Sequence, residues 1–334
     1  MKSTYPFSDV SSEQLITHLN AGTINSEFAL LNKPKPGQPT TWMWTRSRRK
    51  PCIVKHAFGE DAEAIRKLDR EYKALQILFP SGVVPEILKT LEDRNKLVGI
   101  ITPYICPDDS VNHRSPEVTV AVAHAAAAAH ARTWKISYPP FGLRVPVLFG
   151  GHALWIGADK IIHDSCENLR ARDFSRAGDL LSDALNLIKS YRKTITAPFS
   201  PENMVLIHGD ISTENIILTR RRGEAAAIFV DFGEAVVGPA QHDLARYAVS
   251  AELSTAETTL FLDSYIARFQ EITGDCLETK VFLEGFETSK CLAIFDLKIF
   301  GLIMFMSTNS KTGDWITGVE TSIRDIRYLL QKIN

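Results

Sequence analysis

The sequence is short of the features that would fix its class at once. Its 334 residues hold five cysteines (52, 106, 166, 276 and 291), an odd number with no CxxC pair. That argues against a disulfide framework or a zinc knuckle and for reduced thiols in a cytoplasmic protein. Charge of one sign is lacking too. The formal net charge is −1, which gives no general pull toward nucleic acid or a membrane surface. No apolar run is long enough to span a bilayer. The most apolar stretch, CLAIFDLKIFGLIMFM (291–306), is broken by Asp296 and Lys298 and reads as a buried core helix. The opening MKSTYPFSDV lacks the apolar core of a signal peptide. Nothing repeats at a fixed period, which argues against a solenoid.

What is present is a globular composition, 45% hydrophobic and 23% charged, long enough for two modest domains or one large bilobal one. From residue 200 onward acids outnumber bases 19 to 12. The earlier part is correspondingly basic. Such a split suits an anionic ligand on one side and a metal or cationic ligand on the other.

WMWTR (42–46) and CIVKHA (52–57) read as short strands joined by the basic turn SRRKP. Residues 60–79 then place Ile65, Leu68, Tyr72, Leu75 and Leu78 at helical spacing, and Pro80, Ser81 and Gly82 end that helix. VVPEILKTL and KLVGIITPYI (96–105) read as two further strands. Residues 1–105 thus form a unit of strands around one helix. From 116 the pattern is mostly helical, including the alanine-rich EVTVAVAHAAAAAHARTW and an irregular section over 138–157. Residues 106–334 make a larger, mainly helical second unit.

HGDISTEN (208–215) interrupts that pattern. It follows the apolar run Met204–Ile207 with acids, hydroxyls and an amide. By itself it reads as a turn, because Asp, Ser, Thr and Asn bond nearby backbone. Downstream, Ile216–Thr219 and Ala227–Val230 read as strands, with Arg222-Gly223-Glu224 midway. Symmetric pairing about Gly223 would set Ile217 opposite Phe229 and Asn215 opposite Asp231. An amide oxygen and a carboxylate would then meet at one end, with Asp210 one short loop away. One or two such oxygens are how Mg²⁺ is usually held when phosphates complete its shell.

Asp210 through Asn215, then Asp231-Phe232-Gly233, match the catalytic loop and metal motif of kinases. Upstream, Lys55 sits on a strand and Glu71 on the following helix, placed to pair with it. The chain resembles the aminoglycoside phosphotransferase and choline kinase superfamily over roughly residues 40 to 300. The residues that carry the resemblance are His208-Gly209-Asp210 with Asn215, Val230-Asp231-Phe232-Gly233, Gly238-Pro239 with Asp243-Leu244-Ala245, and Val84-Pro85-Glu86-Ile87-Leu88.

The resemblance implies an α+β, bilobal protein-kinase-like fold that uses ATP and Mg²⁺. Asp210 would accept the proton of the acceptor's hydroxyl. Asn215 and Asp231 would hold Mg²⁺, and Lys55, oriented by Glu71, the ATP phosphates. His208 would support the loop and Asp243 brace it. By analogy with kinase hinges, the adenine would meet backbone around Thr102–Cys106, at Tyr104 and Ile105. No GxGxxG precedes Lys55, so phosphate cover falls to WTRSRRKP.

A protein kinase is a rival. However, twelve positions separate Asp231 from Asp243, too few for a long activation segment, and Ser212 stands where serine/threonine kinases usually carry lysine. A non-catalytic nucleotide sensor is a second rival, though here every motif acid is present. The expected partner is a small hydroxyl-bearing molecule, with no nucleic acid or membrane. The later acidic balance favours a cationic acceptor such as an aminoglycoside or amino alcohol; neutral acceptors remain open. Glu234, Glu252, Glu257, Glu284 and Glu287 are candidate acids for it, each also readable as surface charge. Trp134, Trp155, Phe286, Phe295 and Trp315 could form an aromatic box, although core packing is the commoner fate of such residues.

Overall fold

In the computed structural model, which describes residues 11–21, 27–32, 35–45, 49–58, 61–112, 114–136, 163–171, 174–191, 204–303 and 315–333, alternating side chains build an antiparallel sheet. Its strands are β1 (Phe28–Leu30), β2 (Thr40–Trp44), β3 (Cys52–His56), β4 (Lys89–Asp93) and β5 (Lys96–Pro103), in the order β1-β2-β3-β5-β4. Trp42, Trp44, Cys52 and Val54 point to one face and pack with Leu15 and Leu19 of helix α1 (Ser12–Asn20). The period of two sends Lys55 to the other face. There helix α2 (Ala62–Leu78) presents a buried stripe of Ala64, Leu68, Glu71, Ala74, Leu75 and Leu78. Asp61 caps α2, accepting from the Ala64 N–H at 3.0 Å.

The expected strand VVPEILKTL is shorter than its composition suggests. Only its end joins the ladder, as part of β4. Pro85 has no N–H to donate and restricts Val84 before it. Val83 instead accepts from the Phe229 N–H at 2.8 Å.

By contacts the chain divides into two units, and the division does not follow chain order. One comprises Met1–Arg132, Ser137–Leu143 and Glu214–Ala235; the other Thr133–Ile136, Arg144–Thr213 and Val236–Asn334. The first therefore also holds helix α3 (Pro116–Ala131) and the hairpin β7 (Ile216–Arg221)–β8 (Glu224–Phe229). Glu117 of α3 accepts from the Ala225 N–H at 2.8 Å, which fastens the helix to the hairpin.

In the second unit β6 (Met204–Ile207) pairs antiparallel with β9 (Val236–Pro239). Helices α4 (163–171), α5 (Ser175–Ser190), α6 (Ala240–Ser250), α7 (Thr255–Thr273), α8 (Thr279–Ile294) and α9 (Trp315–Ile333) make up most of the rest. Tyr265 stacks on Phe269 and Phe282 at 5.7 and 5.6 Å in its core. The expected core helix at 291–306 continues α8, but through a π-helical turn at Phe295–Phe300; 304–306 lie outside the described residues. So do the irregular section 138–157 with Trp155, and 46–48 of the basic turn. Among the described residues no helix is long and apolar enough to cross a membrane.

Candidate active site

Lys55 is the centre of the arrangement in the first unit. Its Nζ donates to both Glu71 carboxylate oxygens and to Asp231 Oδ1, each at 2.8 Å. Three ammonium hydrogens thus meet three oxygens. Burial alone would lower the Lys55 pKa, but Glu71 and Asp231 hold it above its usual value. Glu71 is the one acid in the buried stripe of α2 and also accepts the Phe232 N–H. It ties β3, α2 and the turn after β8 into one fixture.

That turn, Phe232–Glu234, is a single 3₁₀ turn with Phe232 buried beneath it. Asp231 enters it at φ 68°, a left-handed backbone that few non-glycine residues adopt. Its side chain remains 57% exposed beside the part-buried lysine, so it can still meet a ligand. Two more bases of α2 hold the turn from outside. Arg70 donates to the Gly233 carbonyl at 3.0 Å and Lys67 pairs with Glu234.

The hairpin register differs from the symmetric expectation by one residue. Ile217 faces Ile228, Ile216 faces Phe229, and Arg221 faces Glu224. The turn has two residues, Arg222 and Gly223, both at positive φ (53° and 88°), the backbone that keeps hairpin strands twisted together. Its centre lies between them rather than on Gly223. Asn215 accordingly accepts from the Val230 N–H at 3.0 Å, next to Asp231 and not opposite it.

In the second unit, Asp243 of α6 is almost fully buried. It accepts the backbone N–H of His208 at 2.7 Å and of Gly209 at 3.0 Å, one on each oxygen. These bonds pin the bend between β6 and Asp210. Gly209 turns there at φ 78°, where a side chain would be strained. The Asp210 N–H donates to His208 Nδ1 at 3.3 Å, so the buried imidazole shapes the loop from within.

Arg246 and Asp296 were not singled out by any motif. Arg246 donates to Asp210 Oδ1 from Nε at 3.1 Å and from Nη2 at 2.6 Å, and its Nη1 pairs with Asp296. The one available signal was position, since Arg246 lies three residues beyond Asp243 on the same helix.

The Tyr104 N–H is committed to the Pro51 carbonyl at 3.1 Å, and its ring is exposed. Four of the five candidate acceptor acids have side-chain partners within the protein. Glu234 pairs with Lys67 and Arg70, Glu257 closes the capping box of α7 with Ser254, Glu252 pairs with Lys298 at 3.6 Å, and Glu284 lies 3.9 Å from Lys280. The Glu287 carbonyl accepts from the Cys291 thiol. Phe286 and Phe295 are buried, and the Trp134 indole donates to Asp275 at 2.6 Å.

Residues 37–278 match the APH phosphotransferase enzyme family, and the chain belongs to that family. A comparison with curated protein sequences finds no significant match. The fold is shared with solved kinases of low identity. The Plasmodium vivax ethanolamine kinase is 14% identical with a TM-score of 0.58, over 94% of this chain and 86% of that one. APH(2")-IIa, solved as a gentamicin complex, is 15% identical with a TM-score of 0.58 over 95% and 96%. The amicoumacin kinase hAmiN, solved with AMP-PNP, Ca²⁺ and Ami, is 12% identical with a TM-score of 0.59 over 96% and 94%. The architecture is thus protein-kinase-like α+β, and the chain is a member of a phosphotransferase enzyme family.

Proposed function

We propose that the protein transfers the γ-phosphoryl group of ATP, with Mg²⁺, to a hydroxyl of a small cationic molecule, an aminoglycoside-like antibiotic or an amino alcohol. Lys55 between Glu71 and Asp231 is the observation that carries this reading. A part-buried ammonium that keeps its charge and borders an exposed carboxylate fits a polyphosphate with its metal. Among the described residues no three His, Cys, Asp or Glu side chains gather into a metal cage. Mg²⁺ held by Asp231 and Asn215 would therefore rely on phosphate oxygens, as it commonly does. When bound, ATP would supply the phosphoryl group and Mg²⁺ would offset part of its charge.

In this scheme Lys55 binds the phosphates and Glu71 orients Lys55. Asp210 takes the acceptor's proton, and His208 and Asp243 hold its loop. Ile105 and the Tyr104 carbonyl are left for the adenine, since the Tyr104 N–H is used. Residues 1–105 would serve mainly the nucleotide, and 106–334 the chemistry and the acceptor. A cationic acceptor is supported by the acid excess after residue 200 and by ethanolamine and gentamicin in the descriptions of two relatives. Nucleotide use is supported by AMP-PNP with Ca²⁺ in a third.

The test is ADP release by purified protein with ATP and Mg²⁺ across amino alcohols, aminoglycosides, neutral sugars and macrolides. Release should depend on Mg²⁺ and rise with a cationic hydroxyl compound. Stimulation by neutral compounds alone would overturn the acceptor class, and stimulation by none would overturn the reaction.

A further inference from the structure

The side chain bonded to Asp210 from α6 is Arg246, and it is held at both ends. Nε and Nη2 converge on the single oxygen Oδ1 of Asp210, while Nη1 reaches Asp296. Only 11% of the Arg246 side chain is exposed, so solvent screens these contacts poorly. Guanidinium is planar, and its donors form a rigid fork. Fixing one prong on Asp296 therefore fixes the plane in which the other two meet Asp210. Asp296 stands in the π-helical turn that interrupts the helix after α8. Such turns insert one extra residue, re-aim the side chains, and recur at functional sites.

We infer that Arg246 is a positioning residue for the Asp210 carboxylate, with Asp296 as its anchor. This rests on the proposed phosphoryl transfer, in which Asp210 takes the acceptor's proton. With Oδ1 held by two N–H groups, the carboxylate cannot swing about its own bond. Its direction is then set before the acceptor arrives, and such preorganisation speeds an in-line reaction. Burial opposes the Arg246 charge, but Asp296 and Asp210 keep its pKa above the usual value. His242 on the same helix is pushed the other way by burial and cannot replace that charge at neutral pH. A purely structural tie between α6 and the π turn is the competing account.

A double-mutant cycle separates the two. Arg246→Ala should lower kcat of acceptor-dependent ADP release by about 10–100-fold and leave KM for ATP within about twofold. Arg246→Lys should restore only part, because an ammonium cannot hold two carboxylates in one plane. Asp296→Asn, nearly isosteric, should show a smaller loss in kcat with the same split. In an Asp210→Asn background, Arg246→Ala should add nothing, since the group it positions is gone. Losses that multiply, or a lowered Tm with wild-type kcat, would overturn the assignment. If circular dichroism shows Arg246→Ala unfolded, Asp296→Asn takes its place in the cycle. A wild-type enzyme with no acceptor-dependent turnover would overturn the proposed reaction and this assignment together. Turnover with a multiplicative cycle would remove Arg246 alone.

Discussion

Lys55 shows what single residues contribute. Its charge is held by Glu71 and Asp231 in a part-buried place, and in the proposed reaction it would act on phosphates most strongly as they redistribute charge during transfer. Lys55→Ala should therefore lower kcat by more than it weakens ATP binding, compared by steady-state kinetics and calorimetry. Equal losses would make Lys55 an ordinary binding group. Asp231→Asn should abolish turnover with the fold intact, and near-wild-type activity at limiting Mg²⁺ would remove Asp231 from the metal site. Sequence drew attention to these residues because the motifs that carry the resemblance contain them or point to them. Arg246 and Asp296 were illegible because fifty positions separate them and only tertiary packing joins them to Asp210.

Elements were legible where periodicity was strong and obscure where backbone geometry decided. The spacing from Ile65 to Leu78 gave α2 nearly to its ends. The π turn within 291–303 left no mark in composition. The hairpin register slipped by one because Arg222 takes a positive φ that its side chain does not advertise. At Gly223 an added Cβ would meet nothing within 4 Å, so Gly223→Ala tests backbone strain alone. We expect a loss of roughly 1 kcal/mol in chemical denaturation, with activity per folded molecule unchanged. In β3, burial lowers the His56 pKa to about 4. The unfolded chain takes up this proton near pH 6.5, the native state only near 4, so native stability falls as the pH drops between those values. The loss should be on the order of 2–3 kcal/mol by urea titration at each pH. A His56→Gln variant should show a flatter dependence, and an unchanged slope would contradict the assignment.

At the scale of the whole molecule, the order of motifs along the chain was the most legible feature. Lys55, Glu71, Asp210, Asn215, Asp231 and Asp243 appear in the sequence expected of a family whose match covers 37–278. The acceptor was not legible, because it is chosen by side chains with no fixed spacing, and the acids that looked available are largely paired within the protein. In the proposed reaction Asp210 handles the acceptor's proton while other residues hold the nucleotide. The direct measurement is acceptor-dependent ADP release by wild type and Asp210→Asn at saturating Mg-ATP, with nucleotide affinity determined alongside. Matching affinities are expected, with a rate lower by about 10²–10⁴-fold in the variant. Equal rates with equal affinity would remove Asp210 from the proton transfer.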